Sequence, residues 1–479
     1  MIASDTLPAD FLRTIRQPFR ALYEPLVEGL RGTPGVSIRL NPRKVDVARA
    51  VVTDAVRRVP WADGGYVLRE RPDFTFDPML HAGAYYVQEA ASMFVGYVAR
   101  QLTDGPVLAL DLCAAPGGKS TAVSAALPDG SLLLCNETIR GRANVLDENI
   151  CKWGDGDVIV TNDSAQAIAR ANLPPFDIVI ADVPCSGEGM FRKDPAAAAT
   201  WSVAGVARCA RLQRDIIAAI WPSLRDGGIL IYSTCTFNTM ENEANAEWIA
   251  TELGADFVHI DVPNSWHIQP ALVDSVAAYR FIPGLTEGEG LFVAVLRKHA
   301  TGADGARKKA TENAKKAAEN AKKAAENAKK AAENADIPLN DSASYCLREL
   351  SGRVIAVKRA WAHIYDAVAA QLRVLHAGIA LHQRRGKDIV PETALALASA
   401  LDRNAFPSVE VGRDTAISYL RRESITLPAT AERGYVLLTY RNLPIGFVKN
   451  IGNRANNLYP QEWRIRSTHV PEAAEIITI

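Results

Sequence analysis

An apolar run, Val107 to Leu112, enters a glycine-rich turn, CAAPGGKS (Cys113 to Ser120), and this junction constrains the fold more than any other stretch of the chain. A strand that passes through paired glycines into a helix lets the backbone approach a ligand and leaves the free N–H groups of the helix start facing it. Similar junctions follow at intervals. Ser131 to Cys135 comes after the turn Pro128-Asp129-Gly130, Phe176 to Ala181 after Pro174-Pro175, and Ile229 to Ser233 after Asp226-Gly227-Gly228. Alternating strands and helices of this kind predict a doubly wound α/β domain over residues 105–298. Between the last two strands, Leu212, Ile216, Ile220 and Leu224 recur every four residues, predicting a crossover helix with that face on the sheet. Arg280 to Lys298, RFIPGLTEGEGLFVAVLRK, reads as a closing antiparallel hairpin.

The turn departs from both G-x-G-x-x-G and the P-loop, so a gripped pyrophosphate is not implied. Acidic residues stand where the successive strands should end. Glu137, twenty positions after Gly117, is placed to accept both hydroxyls of a ribose; Asp163 suits an adenine edge; Asp182 ends the next strand. Together they predict an adenosine ligand without a pyrophosphate, which fits S-adenosylmethionine. The cofactor contacts expected are Cys113, Ala114, Ala115, Pro116, Gly117, Gly118, Lys119, Glu137, Asp163 and Asp182.

Two cysteines follow predicted strands: Cys185 in DVPCSGEGM and Cys235 in ILIYSTCTF. Carbon 5 of a cytosine becomes nucleophilic only after a thiolate adds to carbon 6, so methylation there requires covalent catalysis. Cys235 precedes NTMENE, in which Asn238 and Glu241 are spaced as a capping box, and a helix start beside the sulfur favours its thiolate. The residues alone leave open which cysteine attacks.

Elsewhere the chain divides by composition. Of 479 residues, 48% are hydrophobic, enough for two or three cores. The fourfold repeat KKATENA, KKAAENA, KKAAENA, KKAAENA from Lys308 to Ala335 lacks Leu or Ile at a and d and predicts a solvated helical linker over residues 299–339. Residues 1–104 form a smaller module, with a strand at SIRLNPRK (Ser37 to Lys44) and a turn leading into a helix at HAGAYYVQEAASM; residues 340–405 read as mixed α/β. Residues 406–479 carry short strands, among them Tyr435 to Tyr440 and Gly446 to Lys449 either side of a Leu443-Pro444 turn, and suggest a small β-rich barrel.

Seven cysteines, odd in number and without C-x-x-C, argue against disulfides and against a zinc site, and no metal is expected. The N-terminal stretch has no signal-like apolar run and no span of about 18 apolar residues occurs, so a cytoplasmic protein without a membrane partner is expected. Formal net charge is zero, but Lys and Arg outnumber Asp and Glu by 18 to 13 from residue 340 onward and by 10 to 6 in the first 60 residues. Basic ends permit RNA binding without establishing it.

DLCAAPGGKS (111 to 120), DVPCSGEGMFRKD (182 to 194) and YSTCTFNTMENE (232 to 243) resemble, in order and spacing, the motifs of the Sun-type RNA cytosine-5 methyltransferases; GAYYVQEAASM and RFIPGLTEGEGLF extend the resemblance over residues 37–298. It implies an α/β, Rossmann-like methyltransferase domain, an α+β N-terminal module and an α+β region ending in a PUA-like barrel. It also implies that Cys235 is the nucleophile, that Cys185 assists product release, that Asp182 contacts cytosine N3 and N4, and that Lys119 orients. Gly434 to Arg466 resembles the RNA-binding end of a bacterial branch acting on small-subunit ribosomal RNA, free or in the assembling subunit. Arg441, Lys449, Arg454, Arg464 and Arg466 there interleave with Tyr440, Phe447, Tyr459 and Trp463; Arg39, Asn41, Lys449 and Arg454 are the RNA contacts expected. A monomer is expected. A transfer-RNA substrate and a catalytically idle assembly factor are the competing readings, the second disfavoured by the intact cysteine pair.

Overall fold

In the computed structural model, residues 7–300, 337–467, 470 and 475–479 are described. The repeat helix expected over 308–335 lies outside them.

The sheet predicted from the strand–turn–helix junctions is present. Eight of its ten strands matter here: β1 (Leu108–Asp111), β2 (Leu132–Asn136), β3 (Val158–Thr161), β4 (Phe176–Asp182), β5 (Leu224–Thr234), β6 (Ala278–Phe281), β7 (Leu291–Lys298) and β8 (Val374–Ala377), with the short strands Ala255–Phe257 and Gln269–Pro270 pairing at β7 and β6. Across the sheet they run β6-β7-β5-β4-β1-β2-β3-β8. The five from β3 to β5 are parallel, which their near-continuous burial requires of strands covered on both faces. Parallel pairing brings all their carboxyl ends to one edge. The expected hairpin is β6–β7, with Phe281 opposite Leu291 and Ala278 opposite Ala294.

Four helices matter to the site: α1 (Gly118–Ala126), α2 (Arg140–Trp153), α3 (Val203–Ile220) and α4 (Glu243–Glu252). The α3 face on the sheet is Val206, Ala210, Gln213, Ile217 and Ile220, one step round from the expected stripe; Leu212 is 46% exposed and Leu224 already belongs to β5. Apolar spacing missed this because the buried face includes an alanine and a glutamine, while a leucine faces water.

Packing crosses the expected module boundaries. β8, from the 340–405 segment, pairs antiparallel with β3 and so extends the central sheet, while the rest of that segment forms its own antiparallel sheet. The N-terminal module is a four-stranded sheet (Ala55–Arg58, Gly65–Leu68, Val36–Leu40, Tyr85–Val87). Tyr85–Val87 is thus a strand within the expected turn-to-helix segment. This module shares one core with the chain end: Ile38, Leu40 and Tyr85 pack in the same cluster as Tyr419, Val436, Ile445 and Tyr459, and Val51–Val52 pairs with Ile477–Thr478. The last segment is the sheet Ser408–Glu410, Gly434–Tyr440, Leu443–Asn450, Ala455–Asn457. Its hairpin turns at Arg441-Asn442, both at positive φ (49° and 60°), not at Leu443-Pro444. Pro444 sits in the strand beside a register shift, where a missing N–H is tolerated.

Candidate active site

The glycine-rich turn lies between β1 and α1, with Glu137 just beyond β2, Asp163 beyond β3, Asp182 ending β4, and the cysteines after β4 and β5. Every expected cofactor and catalytic residue therefore belongs to the carboxyl edge of the parallel strands. Gly117 is at φ +112°, and a Cβ there would meet Leu146 Cδ1 at 3.3 Å, so the turn admits no side chain without strain.

Cys185 Sγ and Cys235 Sγ are 3.3 Å apart, both as free cysteines. A dense polar network fixes the loops that carry them. Glu188, fully buried, accepts hydrogen bonds from Phe237 N (2.6 Å), Asn238 N (3.0 Å), Asn238 Nδ2 (2.9 Å) and Trp201 Nε1 (3.1 Å). Glu241 Oε2 accepts from Ser186 N (2.9 Å) and Gln213 Nε2 (2.7 Å), and Gln213 also donates to Pro184 O (3.0 Å). Gly189 N donates to Cys235 O at 2.8 Å, an approach so close that a Cβ on Gly189 would lie 3.0 Å from that oxygen. Each cysteine loop is thus held by residues of the other.

Asp182 Oδ2 accepts from Lys119 Nζ (2.8 Å) and Oδ1 from Ser233 Oγ (2.8 Å). Burial acts to lower the Lys119 pKa, but Asp182, by charge and hydrogen bond, with smaller help from Cys235 and Glu89, outweighs it and holds the ammonium above the ordinary lysine value. The hydrogen bond with Cys235, together with burial, pushes the Cys185 thiol well above the ordinary cysteine range. Either sulfur can donate in the contact between them. The expected capping pair forms as a local contact, with Glu241 N donating to Asn238 Oδ1 at 2.9 Å, but α4 begins only at Glu243. The sulfur of Cys235 is accordingly not at a helix start, and the polar network takes that place.

On the adenosine side, the residues fit an S-adenosylmethionine-type ligand. Asp111, buried at the end of β1, receives Ser120 Oγ at 2.7 Å on one oxygen and has no hydrogen bond on the other; burial raises its pKa to about 7. Glu137 accepts Ile139 N (2.8 Å) and pairs with Arg142 (3.1 Å), which also donates to Ala115 O in the turn. Asp163 Oδ2 accepts the main-chain N–H of Arg373 at 2.7 Å. Sequence reading missed Arg142, Arg373, Glu188 and Gln213. Only Glu188 carried a signal, being three residues after Cys185 within a recognised motif; Arg373 lies 210 positions from its partner.

Two expected RNA contacts are corrected. Arg39 is 5% exposed, donates to Gln88 Oε1 (2.8 Å) and Thr121 Oγ1 (2.7 Å), and lies over Trp153; Asn41 is fully buried and donates to Gly83 O and Trp153 O. Both tie the N-terminal module to α1 and α2, a role that a basic strand does not advertise. Phe447 and Tyr459 are likewise core residues, unable to stack on a base. Lys449, paired with Asp388 at 2.6 Å, stands on the last sheet and the exposed Arg454 in the turn before its final strand, separate from the sheet that carries the cysteines.

Three family models match the chain: 16S rRNA methyltransferase RsmB/F over residues 101–297, the N-terminal domain of 16S rRNA methyltransferase RsmF over 7–90, and the methyltransferase RsmF PUA domain over 406–465. Ribosomal RNA small subunit methyltransferase F of Escherichia coli K12 is 30% identical over 95% of this chain and 92% of its own, and its namesake in Enterobacter sp. strain 638 is 28% identical over 95% of each. Among solved structures, a methyltransferase homologue from Pyrococcus horikoshii superposes with a TM-score of 0.51 at 24% identity, over 60% of this chain and 94% of that one. NSun6 from Pyrococcus horikoshii, solved with SFG, superposes with a TM-score of 0.52 at 19% identity, over 61% and 98%. These two likenesses bear on the fold. With a Rossmann-like catalytic sheet, both flanking modules and a full-length relative in agreement, the chain belongs to the RsmB/F family of 16S rRNA methyltransferases.

Proposed function

We propose that this protein is an S-adenosylmethionine-dependent methyltransferase that modifies carbon 5 of a cytosine in small-subunit ribosomal RNA, with Cys235 as nucleophile. The observation that carries this reading is the cysteine pair, 3.3 Å sulfur to sulfur at the mouth of the sheet, beside an Asp182–Lys119 ion pair. Neither an idle scaffold nor simple N- or O-methylation has use for two adjacent thiols there.

Cys185, holding its proton, donates to the Cys235 thiolate and lowers the cost of charge on that sulfur. With the target base flipped out of its stack, Cys235 adds to carbon 6, forming an S–C bond as the carbon 5–6 π pair shifts into a carbon 4–5 enamine and N3 takes up a proton from solvent. Asp182, immobilised by Lys119 and Ser233, accepts from the exocyclic amino group of cytosine as electron density shifts in the ring. When bound, the cofactor supplies an electrophilic methyl group on a sulfonium. Carbon 5, once methylated, gives its proton to solvent, the carbon 5–6 double bond reforms as N3 also loses its proton, and Cys235 leaves as the thiolate. Cys185, adjacent to that sulfur throughout, assists this elimination. Glu137 and Asp163 hold the ribose and adenine edges, and the turn from Cys113 to Lys119 surrounds the rest of the cofactor. Lys449 and Arg454 supply phosphate contacts at the last sheet. The protein acts in the cytoplasm as a monomer.

The test uses paired variants with small-subunit ribosomal RNA and cofactor. Cys185→Ala accumulates a denaturant-resistant protein–RNA adduct, whereas Cys235→Ala forms none and loses activity. The reverse outcome would exchange the two roles; no methyl transfer by the wild type to ribosomal RNA or subunits would favour an assembly factor, and transfer to transfer RNA alone would change the substrate.

A further inference from the structure

Away from the cysteine pair, a third thiol stands in a different chemical setting. Asp147 and Cys151 occupy i and i+4 of α2 and so share one face; His376 approaches that face from β8. Cys151 Sγ lies 3.3 Å from His376 Nδ1 and 3.5 Å from Asp147 Oδ1, and those two atoms are 3.2 Å apart. Three ligands at tetrahedral angles around zinc, with Zn–S of about 2.3 Å and Zn–N and Zn–O of about 2.0 Å, would be about 3.5, 3.5 and 3.3 Å apart. The observed triangle matches that footprint.

The arrangement is not a nucleophile relay. A cysteine–histidine–aspartate relay uses both ring nitrogens, one for the thiol and one for the carboxylate. Here the sulfur and the carboxylate converge on the same nitrogen, Nδ1, and Nε2 is buried without a hydrogen bond. Ordinary hydrogen bonds satisfy at most two of the three contacts at once, Nδ1–H and the thiol both donating to Asp147 Oδ1, while the sulfur and Nδ1 still approach to 3.3 Å. All three residues line a cavity of about 80 Å³ shared with Arg353, Glu392 and Trp463, onto which a fourth coordination position would open. His376 Nε2 is buried there without a hydrogen bond, and Glu392 Oε1, 3.6 Å from Arg353 Nε, has none either, a donor and an acceptor suited to the outer shell of a metal site.

We propose that Asp147, Cys151 and His376 bind one divalent cation of the zinc class. Mixed sulfur, nitrogen and oxygen donors in a compact triangle select zinc over magnesium or calcium, which take oxygen ligands in larger shells. On binding, the Cys151 thiol releases its proton to solvent, the imidazole coordinates neutral through Nδ1, and the carboxylate is already ionised. One thiolate and one carboxylate then cancel the dication, leaving a largely buried site, open only on its Asp147 side, without net charge. The cation joins α2 to β8. Arg142 of α2 and Arg373, the residue just before β8, hold Glu137 and Asp163, so the site clamps the 340–405 segment onto the adenosine side of the cofactor pocket. C-x-x-C spacing is absent because these ligands come together only by the pairing of β3 with β8.

Untagged full-length protein, stripped with EDTA, is titrated with Co²⁺ and then Zn²⁺. The expected result is one equivalent of Co²⁺ with a thiolate-to-metal charge-transfer band, displaced by Zn²⁺, lost in Cys151→Ser and His376→Gln and retained in the Cys185→Ser/Cys235→Ser double variant. Absence of saturable binding would overturn the proposal, as would a band that survives Cys151→Ser and vanishes in the double variant, which would place the metal on the catalytic thiols. Should the single variants fail to fold, the wild type still decides. Zn²⁺ must slow alkylation of Cys151 in mild urea, as read by mass spectrometry, and EDTA must restore it; a rate indifferent to both refutes the site.

Discussion

Glu188→Gln changes one atom at the junction of the two cysteine loops and tests whether that network positions the nucleophile. The carboxylate takes two main-chain donors on Oε2 and three side-chain donors on Oε1, from Asn238 Nδ2, Trp201 Nε1 and, more weakly at 3.4 Å, Ser186 Oγ, a hydroxyl that can turn to accept. A glutamine keeps one acceptor and turns an –NH2 group toward the side-chain donors, so Asn238 Nδ2 and Trp201 Nε1 each face a donor. An unsatisfied buried donor costs about 1–3 kcal/mol, and the retained bonds lose their charge assistance. Trp201 is only half-buried and Asn238 can rotate its amide, which brings the expected loss to about 2–4 kcal/mol. Because Phe237 and Asn238 directly follow Cys235 and Thr236, part of this appears as displacement of the sulfur, and a misplacement of about 1 Å costs about 100-fold in rate. The thermal midpoint should fall and kcat should drop about 10- to 100-fold, with KM for the cofactor little changed. Trp201→Phe, which removes one donor and leaves the carboxylate intact, should show a smaller effect of the same kind. Wild-type midpoint and kcat in Glu188→Gln would refute the positioning role.

Three further outcomes follow from the site. Gly117→Ala places a side chain at φ +112° and 3.3 Å from Leu146, a strain of about 1–3 kcal/mol, and should raise the cofactor dissociation constant about tenfold or more by calorimetry. Asp111 has a folded pKa of about 7 against an ordinary 3.8, so the stability of its protonated form is fully present below pH 4 and lost as pH rises through 7. Asp111→Asn, which stays neutral, should therefore gain on the wild type across that interval by up to about 4 kcal/mol; a difference in melting midpoint independent of pH would contradict this. Asp163→Ala removes the acceptor of the Arg373 N–H, and hydrogen exchange at that amide should quicken about 10- to 100-fold, unless β8 is held by the ladder alone.

The sequence by itself determined the catalytic sheet, its strand order along the chain and the residues at its mouth. These are local facts. Apolar runs, turn dipeptides and a motif that follows each strand encode them, and helical crossovers between parallel strands then place every carboxyl end at the same edge. The cysteine pair could be named from the chain for that reason. Its 3.3 Å separation could not, because it depends on Glu188 and Glu241 bridging loops some fifty residues apart.

Only the tertiary structure decided that Arg39 and Asn41 are buried supports and not RNA contacts, that the first and last modules share a core, and that β8 brings Arg373 to Asp163 and His376 to Cys151. A basic or polar residue on a strand reads the same in sequence whether it faces solvent or a neighbouring module. Contacts spanning two to four hundred residues leave no local periodicity, and it is the burial of apolar surface between distant segments that selects among them.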